Sequence, residues 1–108
     1  IVFVLLATRV ENNVKPRVFY EDFPNKVIYV RDLPAAGGWR DVFLADTSRP
    51  GEPSVYFARE GRIRLDEDKR IVQLELRDGT AHTMHADRPE DYQANTFGSI
   101  LISLDPET

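Results

Sequence analysis

Residues 54–78, SVYFAREGRIRLDEDKRIVQLELRD, decide the fold class. The stretches 62–65 and 70–78 each alternate apolar with polar side chains, which is the pattern of a strand with one buried face. The charged residues 66–69 lie between them and predict a hairpin turn. Gly61 interrupts the first half, and we interpret it as a kink or bulge because isolated glycines in strands often mark one. The whole stretch therefore predicts antiparallel β-structure.

The rest of the chain continues this pattern in both directions. Asp78-Gly79 predicts a two-residue type I′ hairpin turn, followed by a strand over Thr80–His85. Further strands are predicted at Val18–Phe23, Lys26–Leu33, Trp39–Asp46 and Thr96–Leu104. About eight short strands at about ten-residue spacing favour an all-β antiparallel sandwich, with two sheets, over a βαβ fold. Residues 1–14 are hydrophobic enough to form a buried strand, but we predict a short N-terminal helix that ends before Pro16.

Length and composition exclude several classes of protein. The chain has 108 residues, 42% of them hydrophobic and 30% charged, which is typical of one globular domain. A net charge of -4 provides no basic field for nucleic acid, and the absence of cysteine excludes disulfides and thiolate chemistry. The longest apolar run, residues 1–7, is far short of the roughly 20 residues that span a bilayer.

No motif indicates catalysis or a metal. His82 and His85 are the only histidines, and residues three apart in a strand point to opposite faces. The acidic clusters lie in predicted turns, where carboxylates are usually solvated, and no nucleophile or phosphate-loop motif is present. We therefore predict no catalytic residues, no metal, no cofactor and no enzymatic activity.

A modest basic stretch runs through Arg59, Arg62, Arg64 and Arg70. These side chains could hold phosphates or the acidic groups of a partner. More often such residues solvate the outer face of a strand, and the interleaved Glu60 favours that second interpretation.

The chain has more apolar residues than a sheet with one solvent-exposed face requires. Both faces of Val27–Val30 are non-polar, and Trp39, Phe43, Tyr56 and Phe57 add bulk. A sandwich core explains this directly, since both sheets contribute large residues to it. The alternative is an incompletely closed sandwich whose interior accepts an apolar ligand.

Several segments resemble the periplasmic domain of the LptF/LptG permeases, the membrane subunits of the lipopolysaccharide export transporter. The similarity lies in RVFYEDFPNKVIYVRD (17–32), GWRDVFLAD (38–46), VYFAREGRIRLD (55–66), LRDGTAH (76–82) and ISLDPE (102–107). It implies a periplasmic β-jellyroll, open along one side, in a protein of the Gram-negative inner membrane. Residues 1–16 are then a membrane-proximal connecting segment and residues 17–108 the jellyroll domain.

The resemblance also implies a role and partners. Lipopolysaccharide would leave the inner membrane with its acyl chains in the apolar jellyroll interior and pass to an LptC-like jellyroll partner docked on a free sheet edge. The other permease subunit and the LptB ATPase would be reached through the membrane part, which this chain lacks. We predict that the lipid groove is lined by Val30, Phe43, Phe57, Leu65, Leu74, Leu76 and Ile102. Arg59, Arg62 and Arg64 are the first candidates for contacts to the lipid phosphates.

Two alternatives from other functional classes remain. A carbohydrate-binding β-sandwich would expose a flat row of aromatic rings, for which Tyr20, Tyr29, Trp39 and Tyr56 are the candidates. A scaffold-type interaction module would instead pair with a neighbour through a free sheet edge.

Overall fold

A single antiparallel meander forms the body of the chain. The computed structural model describes residues 10, 13–21 and 23–104. The strands are β1 (Lys26–Asp32), β2 (Trp39–Asp46), β3 (Ser54–Asp66), β4 (Ile71–Thr83) and β5 (Gln93–Ser103), with a 3₁₀ turn at Pro89–Asp91. They form one sheet in the order β1-β2-β3-β4-β5, each strand antiparallel to its neighbours. The predicted all-β antiparallel class is confirmed.

The strands are fewer and longer than the sequence pattern predicts, and the described residues form one sheet instead of two. Within segment 18–23, the described residues form no strand and contribute one bridge, from Tyr20 to Ile28. The charged turn at 66–69 is confirmed, and the amide of Lys69 donates to the Asp66 carboxylate at 3.1 Å. The predicted helix over residues 1–14 lies mostly outside the described residues.

The type I′ turn predicted at Asp78-Gly79 is wrong, because both residues lie inside β4. Asp78 has the left-handed φ of 57° that such a turn requires, but Gly79 has no positive φ and pairs with Ala58 of β3. A side chain at Gly79 would collide with the carbonyl oxygen of Phe57 and would lie 2.8 Å from the Cα of Ala58. The glycine thus permits a close approach of two strands and does not reverse the chain.

Gly61 is likewise not a bulge. It pairs with Trp39 on one side and Leu76 on the other, with no residue inserted in either ladder. A Cβ at this position would lie 3.0 Å from a methyl of Val42 and 3.2 Å from a methyl of Leu76. Tight packing over the core therefore explains this glycine.

One row of residues interrupts the pairing in every ladder of the sheet. The row consists of Arg31, Asp41, Arg59, Asp78 and Gly98, and regular pairs resume on both sides of it. Two of the five, Asp41 and Asp78, have φ of 57°. Aspartate is one of the few residues that adopt this left-handed conformation readily, since its short side chain can bond locally. We call this row the crease.

The alternation of buried side chains shifts by one residue at the crease. In β2 the core residues are Trp39 and then Val42, three positions apart, and in β5 Phe97 and Ile100 show the same spacing. A regular strand would place core residues two apart. In β2 and β4 the left-handed residues Asp41 and Asp78 lie at this shift, and their conformation lets the same face of the sheet stay over the core on both sides of the crease.

The crease divides the sheet into two parts. The aromatic half comprises residues 26–30, 42–46, 54–58, 79–83 and 93–97, and the charged half comprises residues 39–40, 60–66, 71–77 and 99–103.

The core lies on one face of both halves. The N-terminal segment covers it with Val10, Val14, Tyr20 and Phe23. The sheet supplies Ile28, Val30, Val42, Leu44, Ala58, Val72, Leu74 and Leu76, and Leu104 closes it at the end of the chain.

The two edges of the sheet differ. Along β1, the amide of Arg17 donates to the Val30 carbonyl at 2.7 Å, and Tyr20 and Ile28 exchange two backbone bonds of 2.8 and 3.0 Å. Along β5, the outer edge carries no strand among the described residues. Within the same part of the chain, no helix is long and apolar enough to cross a bilayer.

Candidate functional site

Four of the seven residues predicted to line a lipid groove lie together in the core. Val30, Leu74 and Leu76 are fully buried, and Ile102 packs against them from β5 as a partly buried side chain. Leu74 and Ile102 are direct register partners. Val30 lies in one half of the sheet and Leu74, Leu76 and Ile102 lie in the other, so both halves share this core.

The other three do not join that set. Phe43 and Phe57 point away from the core, where Phe57 is 49% exposed, and Leu65 is exposed near the β3–β4 turn. Strand alternation allows either Phe57 or Ala58 to face inward, and size alone favours the phenylalanine. The register decides otherwise, because Ala58 pairs with the buried Val42.

Phe43 and Phe57 belong to an aromatic row on the face opposite the core. Tyr29, Phe43 and Phe57 are consecutive register partners across β1, β2 and β3. The rings of Phe43 and Phe57 lie 5.3 Å apart, and Phe19 extends the row with its ring 4.9 Å from Tyr29. We call Phe19, Tyr29, Phe43 and Phe57 the aromatic stripe.

The stripe continues over β4 through His82. Its ring lies 5.7 Å from Phe57 and stacks on Tyr92 at 5.9 Å. One ring nitrogen is hydrogen-bonded to the Tyr92 hydroxyl, and the other lies 3.0 Å from the Thr80 hydroxyl. Both nitrogens therefore have hydroxyl partners, and His82 holds the β4–β5 connection against the stripe.

The second histidine has a different neighbour. His85 Nδ1 lies 3.7 Å from the carboxylate of Glu52. In the part of the chain that the structure describes, no group of three or more histidine, aspartate or glutamate side chains is placed to hold a metal ion.

A cleft of about 390 Å³ opens where the stripe meets the crease. Phe43 and Phe57 form its apolar wall, and Arg59 lines it together with Asp41 and Asp78. Three of the predicted site residues, Phe43, Phe57 and Arg59, thus share one cleft. The cleft therefore combines an apolar wall, which suits an alkyl chain, with one guanidinium and two carboxylates.

Arg62 and Arg64 lie elsewhere, around a buried carboxylate in the charged half. Glu75 is 4% exposed. Arg62 donates to its Oε1 at 2.7 Å, Arg77 donates to its Oε2 at 3.2 Å, and Arg64 lies 3.7 Å from Oε1. The Ser99 hydroxyl donates to Oε2 at 3.4 Å. We call Arg62, Arg64 and Arg77 the arginine tripod.

The tripod keeps Glu75 ionised. The hydrogen bond from Arg62 is the main cause that holds the pKa of Glu75 below its ordinary value, and Arg77 acts in the same direction. Burial opposes both by favouring the neutral acid. The carboxylate is therefore a fixed negative charge beneath three guanidinium groups at neutral pH.

Sequence reasoning missed Glu75 and Arg77. The signal was present, because pairing the strands about the turn at 66–69 places Arg62 opposite Glu75. Arg59, grouped with Arg62 and Arg64 in the sequence, lies on the crease and forms no part of the tripod.

The aromatic residues named for a carbohydrate platform do not form one. Tyr20 and Trp39 are buried in the core. The rings that are exposed in the aromatic stripe are tilted against one another by 51° and 55°, whereas a sugar platform needs coplanar faces.

Comparison with known families gives one result of functional content. The sequence model of the family described as lipopolysaccharide export system permease LptF/LptG matches residues 1–108. This match confirms the resemblance found in the sequence. No curated protein matches the chain as a relative.

Proposed function

Because the chain belongs to the LptF/LptG family of lipopolysaccharide export permeases, we propose that residues 17–108 are a periplasmic domain that passes lipopolysaccharide toward the periplasmic bridge. Members of this family are inner-membrane transport proteins and not enzymes. Residues 1–16 are the segment that connects this domain to the membrane. The β-rich structure is compatible with a periplasmic location.

The aromatic stripe is the observation that carries this proposal. An ordinary sheet with one buried face presents polar side chains on the other. In the aromatic half, Tyr29, Phe43 and Phe57 occupy that second face instead, and Phe19 adds to the apolar surface. Exposed apolar surface of this kind marks a binding site.

Acyl chains suit such a surface. Each buried CH₂ gains about 0.8 kcal/mol without any directional bond, so a chain can be held and still slide. Phe43, Phe57 and Leu65 are the accessible members of the predicted groove, and the first two belong to the stripe. Val30, Leu74 and Leu76 are fully buried and would touch lipid only after the N-terminal segment leaves the sheet. Arg59 lines the same cleft as Phe43 and Phe57 and is the predicted phosphate contact there.

The proposed transfer also needs a docking edge. Among the described residues, no strand pairs with the outer edge of β5 (Gln93–Ser103), while residues 16–20 cover β1. We assign β5 as the edge to which an LptC-like jellyroll adds its strand. The other permease subunit and the LptB ATPase would act through the membrane part of the protein.

Site-specific photo-crosslinking in exporting cells tests the proposal. The photoreactive residue is placed at position 43 or 57 of the full-length permease, with the exposed position 88, which lines neither cleft, as the control. We expect lipopolysaccharide adducts from 43 and 57 and none from 88. Adducts from 88 alone would overturn the proposal. Adducts from 30 and 74 but not from 57 would overturn the stripe as the lipid surface in favour of the interior.

A further inference from the structure

The arginine tripod carries more positive charge than its own carboxylate can balance. Three guanidinium groups surround the single charge of Glu75, which leaves a local net charge of two positive units. Among the described residues, Glu75 is the only acidic partner of all three arginines. This excess occurs in a chain whose net charge is -4, so it is not a general property of the surface.

The tripod is fixed in place and still has donors to offer. Arg62 and Arg77 each use Nε to bind Glu75, so the terminal nitrogens of both side chains remain for a ligand. The side chains of Arg62, Arg64 and Arg77 are 56%, 49% and 52% exposed. Because the buried carboxylate anchors the guanidinium planes, little rotamer entropy is left to lose when a ligand binds.

The tripod opens into a cleft of its own. This cleft has a volume of about 390 Å³ and lies against the loop between β1 and β2. Arg40, Glu60, Arg62, Glu75 and Arg77 line it from the sheet, and Gly37 and Gly38 line it from the loop. With three arginines and two glutamates, the lining has a net charge of one positive unit, and Arg64 lies outside it. It contains no residue of the aromatic stripe, so it is a separate site from the cleft at Phe57.

We propose that the arginine tripod binds a phosphate monoester, with Arg62 and Arg77 as the contacting residues and Glu75 as the residue that positions them. A phosphate monoester carries about two negative charges at neutral pH, opposite in sign to the excess charge of the tripod and of the cleft lining. Its oxygens suit the fork geometry of guanidinium groups. The inference rests on the proposed function only for the source of the phosphate, which is the head group of the transported lipid.

Binding measurements on the 108-residue chain test the site. The probes are inorganic phosphate, glucose 1-phosphate, and phosphatidylcholine vesicles with and without phosphatidic acid. We expect Arg77→Gln to weaken binding at least tenfold. Arg88→Gln is the matched control, since Arg88 is an exposed arginine paired with Asp91 at 3.2 Å and the variant loses the same charge. It is expected to change binding less than twofold.

Glu75→Gln separates a positioned site from general charge attraction. The variant makes the cluster more positive, so simple electrostatic attraction would tighten binding. If Glu75 positions the guanidinium groups, binding weakens several-fold instead. Arg77→Lys is a second test that leaves the buried Glu75 unchanged. The variant keeps the positive charge at position 77 and loses the planar guanidinium. We expect it to recover little of the affinity, and circular dichroism checks that each variant is folded.

The outcomes distinguish the ligand sources and overturn the inference where it fails. Binding of both soluble phosphates and vesicles supports a site for the phosphate group, and binding of phosphatidic acid vesicles alone supports one for lipid-borne phosphate. The inference is overturned if neither the soluble phosphates nor the vesicles bind, if Arg77→Gln and Arg88→Gln lose affinity equally, or if Arg77→Lys restores the full affinity. It is also overturned if Glu75→Gln tightens binding or if an acidic peptide competes as well as phosphate does. Lipid crosslinks at position 57 in the Arg77→Gln permease report separately on the proposed function.

Discussion

The two halves of the sheet share one core but differ on their other face. In the charged half, Arg62, Arg64 and Arg77 converge on Glu75, so the buried carboxylate of that face finds its partners within the chain. In the aromatic half, Tyr29, Phe43 and Phe57 stand side by side on the corresponding face. The same strands β2 to β4 run through both halves, so strand identity does not explain the difference.

Of the two halves, the aromatic half is the one whose outer face needs a partner to cover its apolar surface. A cluster of charges around a buried carboxylate is stable in water because its hydrogen bonds are made within the chain. Exposed aromatic rings have no comparable arrangement in water and gain free energy only when something covers them. The crease between the halves allows one sheet to carry both kinds of surface over one core.

The largest expected effect comes from closing the space at the crease. In Gly79→Ala the new methyl meets the backbone of Phe57 and Ala58, which cannot move as a side chain can. We expect the free energy of unfolding to fall by more than about 3 kcal/mol, measured by urea denaturation. Gly98→Ala is the control, since it lies in the neighbouring row of the sheet, the crease, and nothing is within 4 Å of its added Cβ. Equal effects of the two substitutions would show that the close contact at Gly79 is not what holds the halves together.

The next effect tests the charged half through pH. The lowered pKa of Glu75 means that its contribution to stability is complete above the pKa of a glutamate in an unfolded chain. That contribution is lost as the pH falls through the lower folded-state pKa. We expect Glu75→Gln to cost about 2 kcal/mol at pH 7, since the arginines are half exposed and their pairs are partly screened. The difference in unfolding free energy between wild type and variant should shrink as the pH falls below the ordinary pKa of a glutamate; a constant difference would contradict an ionised Glu75.

A smaller effect is expected from the left-handed residue of the crease in β4. Asp78 has φ of 57°, a conformation that a β-branched side chain strongly disfavours. Asp78→Val should lower the free energy of unfolding by about 1 kcal/mol or more, while Asp78→Gly should leave it unchanged or raise it slightly. Thermal denaturation of the pair measures this. If the valine variant is as stable as the glycine variant, the one-residue shift in alternation at the crease does not depend on the backbone conformation of residue 78.

The smallest effect on stability is expected in the aromatic stripe. Phe57 is half exposed, so Phe57→Ser should change the free energy of unfolding by only about 0.5 kcal/mol. Binding of a long-chain detergent should nevertheless weaken measurably, because the variant removes apolar surface from the open face. Leu101→Ser is the control, an exposed apolar residue in the charged half. If both substitutions weaken detergent binding equally, the two halves do not differ in their affinity for alkyl chains.

Much of the fold could be predicted from local signals. The alternation in 62–65 and 70–78 and the charged turn between them specify a hairpin because strand period and turn chemistry depend on neighbouring residues. The Asp78-Gly79 prediction failed for the opposite reason. The same dipeptide serves a turn or a crease, and the outcome depends on whether β3 and β5 lie beside it to continue the pairing.

The candidate site was predicted in part for a similar reason. Phe43, Phe57 and Arg59 were named and share a cleft, but Phe57 was expected to face the core with Val30. The alternation of a strand defines two sets of residues without saying which set is inside. The register with Val42 makes that choice, and register is a property of two strands.

The antiparallel β class, the turn at 66–69 and the family to which the chain belongs all follow from the order of residues along the chain. The crease, the burial of Glu75 beneath three arginines and the exposure of Phe19 and Phe57 in the aromatic stripe appear only in the folded chain. Those features join residues of different strands, and their physical cause is the packing of the strands against one another over a shared core. A local pattern carries no record of that packing.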